Sequence, residues 1–196
     1  MGTDLTADPD AFLLVREQHE QLRDLLDQLA RQPRVTERIE AGQLRRRGEL
    51  LDLIGHSFVA QDTARHRWLW GPVTAGWTDG PPIRKDLRRR SRRIAYLLVK
   101  LDWFGDRDSE VDDVVDELDD EIRALLGYET ELLGRHQREP TADLGAIGRR
   151  MARGGLLPTR PHPDMPGWPG LARLLQLPLA VRDRIADLVT RPPTGS

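Results

Sequence analysis

Two apolar helical seams in this chain each carry polar side chains at positions their spacing marks as central. His19, Leu22, Leu25, Leu26 and Leu29 recur in spacing as Ser91, Ile94, Leu97, Leu98 and Leu101. Ile54, Phe58, Gln61, Arg65, Trp68 and Leu69 likewise correspond to Leu118, Ile122, Leu125, Glu129, Leu132 and Leu133. Residues three, four and seven apart stack on one side of a helix, so each set describes a single face. An imidazole on such a face offers acid–base chemistry or a ligand nitrogen near neutral pH. A guanidinium offers a permanent charge that can hold a carboxylate or a small anion.

Other groups capable of chemistry lie outside these seams. Asp62 and His66 are four apart and share a face, with His56 on the same helix, so a surface divalent-metal site is one reading. An ordinary solvated helix face is the other. His136 stands near a helix end and His162 in a Pro-rich run, neither with a partner nearby in sequence. Tyr128 neighbours Glu129 and is expected either to reach its pocket or to pack in the core. With no cysteine in the chain, disulfides, iron–sulfur clusters and thiolate sites are excluded, and any metal needs His, Asp, Glu or Tyr.

The elements that must position these residues are all helical, with no competing strand pattern. Asp8 as cap and Pro9 in the first turn predict a first helix, with Asp10 complementing its positive end and Pro33 ending it. A second is expected from about Thr36 to Trp70, stopped by Gly71-Pro72. Gly76, Gly80, Pro81 and Pro82 mark a loop. A third carries Ile83, Leu87, Ile94, Leu98 and Leu101 and breaks at Gly105. A fourth carries Val111, Val115, Leu118, Ile122, Leu125 and Leu132, ending by Gly134. Short connections favour antiparallel neighbours, so the expected fold is an all-α, up-down-up-down four-helix bundle over residues 1–139. A short helix is expected within 140–157. Residues 158–196 then form a Pro-rich extended segment, from Pro158 to Pro169, and an amphipathic helix that packs on the bundle or on a partner.

Composition bounds the partners. The chain of 196 residues is 38% hydrophobic and 32% charged, enough for one core. No run approaches the roughly 18 apolar residues of a membrane span, and the N-terminal region shows no secretory pattern. Neither membrane nor nucleic acid is an expected partner at a net charge of −2. If the third and fourth helices are neighbours, the basic run from Arg84 to Arg93 pairs partly with the acidic run from Asp106 to Glu121; a phosphate- or nucleic-acid-binding face is the alternative reading of the basic run. Lysine occurs only at Lys85 and Lys100, a bias read as a GC-rich bacterial genome, with a cytoplasmic location as the default.

Several segments together resemble one family. Arg16-Glu17-Gln18-His19-Glu20-Gln21-Leu22-Arg23-Asp24-Leu25-Leu26 looks like the first helix of hemerythrin-like (HHE cation-binding) proteins. Trp68-Leu69-Trp70-Gly71-Pro72 resembles that family's close to the second helix, and Pro158-Thr159-Arg160-Pro161-His162-Pro163 resembles a tail seen in its bacterial members. The resemblance covers most of the chain. It implies a four-helix bundle holding two non-haem irons, through one His on each odd helix and a His-x-x-x-Glu pair on each even helix. It also implies binding of oxygen or nitric oxide, or sensing of iron and redox state.

Carried across residue by residue, most of that ligand set is missing. His19 matches the first ligand. On the second helix His56 points away from the apolar face through Leu50, Leu51, Ile54 and Phe58, and four residues on stands Ala60. Anchoring on Leu69 instead puts Gln61 and Arg65 at the ligand positions. Ser91 stands at the third-helix His, Leu125 at the fourth-helix His, and Glu129 keeps its carboxylate. His19 and Glu129 are thus the remaining metal-ligand candidates, with His56, Asp62 and His66 as the alternative set. The expected replacement is a central polar pocket of His19, Gln61, Arg65, Ser91 and Glu129, with Arg65 supplying the positive charge of the lost metal.

The expected function is a non-catalytic regulatory or interaction protein without a cofactor, with a protein partner or a second copy engaging the C-terminal tail. The alternative is a non-haem iron protein for oxygen, nitric oxide or iron sensing. A third class is an enzyme using His19 as acid or base and Arg65 to hold a small anionic substrate.

Overall fold

The computed structural model describes residues 10–37, 39–103 and 110–153, and these are all-helical with no strand among them. The elements are α1 (Ala11–Ala30), α2 (Ala41–Ala64), a π-helical turn (Arg65–Leu69), α3 (Trp70–Ala75), α4 (Gly80–Trp103), α5 (Val111–Arg138) and α6 (Leu144–Arg153). Helix α1 packs on α2, α5 and α6; α4 packs on α5, α3 and α2. One apolar core joins these faces, with Leu22, Leu26, Ile54, Phe58, Leu87, Ile94, Leu97, Leu118 and Ile122 buried in it. No helix of the described residues is long and apolar enough to cross a membrane. The Pro-rich and amphipathic segment 158–196 lies outside the described residues, as do Asp8, Pro9, Asp106, Asp108 and His162.

Several helix ends differ from the sequence expectation, each for a local reason. Asp10, not Asp8, caps α1, accepting a hydrogen bond from the Phe12 amide at 2.7 Å. Helix α2 begins at Ala41 rather than Thr36, behind a capping box in which Gln43 accepts from the Glu40 amide at 3.0 Å. Thr36 is unavailable for that role because its amide and hydroxyl both donate to Asp112 of α5, each at 3.0 Å.

Gly71-Pro72 does not stop the second helical stretch, which runs on to Ala75. Pro72 has no N–H for the carbonyl four residues back, and its ring crowds that carbonyl. The π-helical turn lies directly before it, closed by the Trp70 amide donating to the Arg65 carbonyl. A widened turn of this kind relieves the crowding and rotates α3 relative to α2.

Gly80, Pro81 and Pro82, read as loop, open α4 instead. Proline suits a first turn because the amides there have no intrahelical acceptor. Gly80 is required by contact: a Cβ at this position would lie 2.0 Å from the Thr74 carbonyl oxygen. Helix α5 passes through Gly134 to Arg138, its last turn held by burial of Leu132, Leu133 and His136. His136 does have partners, its Nε2 accepting from the Thr141 and Ala142 amides at 3.2 Å each in the turn to α6.

The charge runs pair partly within helices and partly between them. Arg89 and Arg90 both engage Asp86 on α4 itself, whereas Arg93 reaches Glu117 of α5. Arg34 meets Asp116 and Arg123 meets Asp27, each at 2.7 Å. Tyr128 turns toward Arg90, whose guanidinium carbon lies 5.0 Å from its ring centroid.

Candidate functional site

Glu129 is the centre of the buried polar arrangement. Helix α5 delivers it inward because Leu118, Ile122, Leu125, Leu126, Leu132 and Leu133 bury the same side of the helix. The indole Nε1 of Trp70 donates to its Oε1 at 3.2 Å. Arg65 Nε lies 3.1 Å from that oxygen, with both side chains at or below 1% exposure. The Arg65 N–H is not aimed for a directional hydrogen bond, so the attraction is Coulombic. His19 Nε2 lies 2.9 Å from the other oxygen, Oε2.

Electrostatics fix the protonation of this set. Burial alone pushes Glu129 up, but the Arg65 charge and the His19 hydrogen bond outweigh it and hold the carboxyl below its ordinary value. Burial drives His19 below its ordinary value, against the opposing pull of Glu129. The imidazole is therefore neutral at pH 7, with Nε2–H donating to the carboxylate. Its Nδ1 lies 3.4 Å from the Thr130 hydroxyl, which donates to the Leu126 carbonyl at 2.7 Å. A cation, an anion and a neutral imidazole leave the centre with no net charge.

The other expected members of the pocket are placed differently. Gln61 is fully buried, but its amide makes no hydrogen bond to the described residues. The two terminal nitrogens of Arg65 are likewise buried without a hydrogen-bonding partner among the described residues. Ser91 does not join Glu129. Its hydroxyl donates to Asp62 at 2.7 Å, with the Leu87 carbonyl a second acceptor at 3.0 Å, and it accepts from His66 Nε2 at 3.0 Å.

That second cluster places Asp62 and His66 together with Ser91, and His56 apart from them. Asp62 is buried rather than solvated, and burial raises its carboxyl above the ordinary range against the pull of His66 and Arg65. His56 takes no part, its Nδ1 donating to the Asp52 carbonyl of its own helix at 2.7 Å. Among the described residues, no group of three or more His, Cys, Asp and Glu side chains is placed to hold a metal. Nor is Ser91–His66–Asp62 a nucleophilic triad, because serine and carboxylate share one imidazole nitrogen. Asp62 lies 3.5 Å from the same Nε2 that meets Ser91. A triad needs the carboxylate on the opposite nitrogen.

A second buried ion pair escapes sequence reading. Arg47 donates to Asp112 at 2.6 Å with both side chains at or below 5% exposure. Asp112 also accepts from the Val35 amide at 3.2 Å and from Thr36, while Arg47 donates to the Pro33 carbonyl at 3.2 Å. This clasp fastens the α1–α2 connection to both α2 and α5. It is a structural fastening: the carboxylate and the two terminal nitrogens of Arg47 engage each other and the backbone beside them, while Arg47 Nε has no hydrogen-bond partner among the described residues.

One cleft does reach the central group from outside. It encloses about 230 Å³ between α1 and α5, with His19 and Thr130 in its wall. Against protein-family models, curated proteins and solved structures alike, the chain has no match.

Proposed function

We propose that this chain is a hemerythrin-like, up-down-up-down four-helix bundle in which an ion-paired polar centre has replaced a metal site. In this reading it is a bacterial, cytoplasmic regulatory or interaction protein rather than a catalyst. Its C-terminal tail then engages the bundle, a protein partner or a second copy. The closed circuit of contacts, α1 on α2, α2 on α4, α4 on α5 and α5 on α1, supports the bundle.

The observation that carries the reading is the engagement of Glu129. Arg65 and Trp70 converge on one of its oxygens and His19 on the other. The donor set around it does not suit a pair of irons. Leu125 has no donor atom, Arg65 stays protonated and repels a metal cation, and Ser91 is turned to Asp62. Even one iron at His19 and Glu129 would have to displace a guanidinium from the buried carboxylate.

The test is metal content after anaerobic Fe(II) loading and desalting, read by mass spectrometry. Iron well below one per chain is the expected result. Near two irons per chain overturns the reading. About one per chain also overturns it, in favour of a non-haem iron protein with a reduced ligand set.

A further inference from the structure

We infer that the cleft between α1 and α5 is a binding site for a small monocarboxylate with a short apolar tail, Arg23 taking the carboxylate and Phe12 with Leu133 taking the tail. Sequence spacing makes the cleft: Phe12, Arg16, His19 and Arg23 lie along one side of α1, and Thr130 and Leu133 one turn apart on α5. Arg123 of α5 meets Asp27 of α1, and Thr130 meets His19, so the two helices run antiparallel across it. Leu133 therefore lies toward the Phe12 end, and the opposite end belongs to Arg23.

Charge selects the class of ligand. Arg16 is already paired with Glu20, one helical turn on, at 3.1 Å. Arg23 makes no ion pair or hydrogen bond among the described residues. The cleft thus offers one uncompensated guanidinium, which suits a single negative charge. Guanidinium–carboxylate pairing is charge-assisted and directional, and the half-buried Phe12 offers apolar surface to a tail, with Leu133 in the wall behind it.

Volume selects the size. At about 230 Å³ the cleft falls below the roughly 300–1,000 Å³ of sites for drug-sized molecules, so a ligand of a few carbons fits and a nucleotide does not. His19 and Thr130 both line the cleft, the Nδ1 of His19 lies 3.4 Å from the Thr130 hydroxyl, and its other nitrogen holds Glu129. An occupant therefore touches the same imidazole that is bonded into the core. That gives a ligand a direct physical route to the centre of the bundle, which a regulatory module requires.

The experiment is titration of the full chain with hexanoate, acetate and inorganic phosphate, following the ring resonances of each histidine by NMR. Hexanoate is expected to shift the His19 resonances saturably while leaving those of His56 in place. Acetate, lacking the tail, is expected to bind more weakly. Arg23→Gln on the rim of the cleft is expected to weaken hexanoate about tenfold, the size of one lost charge-assisted hydrogen bond. Leu133→Ala is expected to narrow the preference for hexanoate over acetate. Absence of a saturable His19 shift overturns the site. Phosphate binding as tightly as hexanoate, or hexanoate binding unchanged by Arg23→Gln, overturns the assigned chemistry.

Discussion

Arg65 sits 3.1 Å from Glu129 with neither side chain reaching solvent, so the two compensate each other's full charge at the centre of the fold. A buried pair of this kind adds little relative to a well-packed apolar pair, but breaking it is costly because one charge is left alone. Arg65→Met is therefore expected to lower unfolding free energy by about 3–5 kcal/mol. Arg65→Met with Glu129→Leu is expected to recover much of that loss. Urea unfolding of the two variants beside the parent chain checks both statements. A double variant no better than the single one would refute the charge argument.

The Arg47–Asp112 clasp carries the expected acid sensitivity. Burial pushes the Asp112 carboxyl up, but the Thr36 and Val35 amides, the Thr36 hydroxyl and Arg47 together hold it below its ordinary value. A carboxyl depressed on folding contributes stability that is fully present above its unfolded pKa of about 3.9. That contribution is lost as pH falls through the lower, folded value. The difference in stability between the parent chain and Asp112→Asn should thus be constant above about pH 5 and shrink below pH 4. At pH 7 the variant is expected to cost about 3–5 kcal/mol, since Arg47 keeps its charge in a buried place. Chemical denaturation from pH 3 to pH 7 on both proteins measures this, and a difference independent of pH would contradict it.

The two features differ in how far sequence can reveal them. His19, Gln61, Arg65 and Glu129 are all buried, and each lies on an apolar seam whose period is visible in the chain. Ser91 shares that property, yet its short side chain reaches only Asp62, His66 and the preceding turn. A seam position fixes a face, and side-chain length decides which partner on that face is met. Arg47 and Asp112 are 65 residues apart, each amid other charged residues, so nothing local distinguishes them from a solvated face. The turn at Arg65–Leu69 is equally hidden, because a single widened turn leaves no periodic trace, and Pro72 suggests a stop instead. Gly-Pro-Pro at 80–82 misleads for a related reason: it reads as loop whether it ends one helix or begins the next.

Gly80 offers a sharp steric test. A Cβ there would meet the Thr74 carbonyl oxygen at 2.0 Å, a contact with backbone that no rotamer change relieves. The same turn is closed by hydrogen bonds from the Gly80 amide to Trp77 at 2.9 Å and from the Trp77 amide to Thr74 at 3.2 Å. Gly80→Ala must therefore displace α3 from α4, and a loss of about 2 kcal/mol or more is expected, within the range of overpacked cores. Gly42→Ala provides the control, since a Cβ there meets nothing within 4 Å. Alanine is also the better helix former, so that variant should match or exceed the parent chain. Thermal unfolding of the pair gives the comparison, and equal losses would mean that helix propensity rather than contact decides.

Trp70 and Arg65 share one oxygen of Glu129 and are joined by backbone as well, since the Trp70 amide closes the turn on the Arg65 carbonyl. Trp70→Phe removes the indole donor and leaves a smaller ring in a site that is 1% exposed. Loss of a hydrogen bond to a charged group costs about 1.5–3 kcal/mol, and the vacated volume adds to it. The effect should depend on the carboxylate. With Glu129→Leu in place the indole N–H has no acceptor, so changing Trp70 to Phe then removes an unsatisfied donor as well as volume. The two substitutions are accordingly expected to couple by about 0.5–3 kcal/mol, the double variant being more stable than the sum of the singles predicts. A double-mutant cycle measured by urea unfolding gives that number directly. Strict additivity would mean that Trp70 acts through packing alone and that its hydrogen bond to Glu129 contributes nothing.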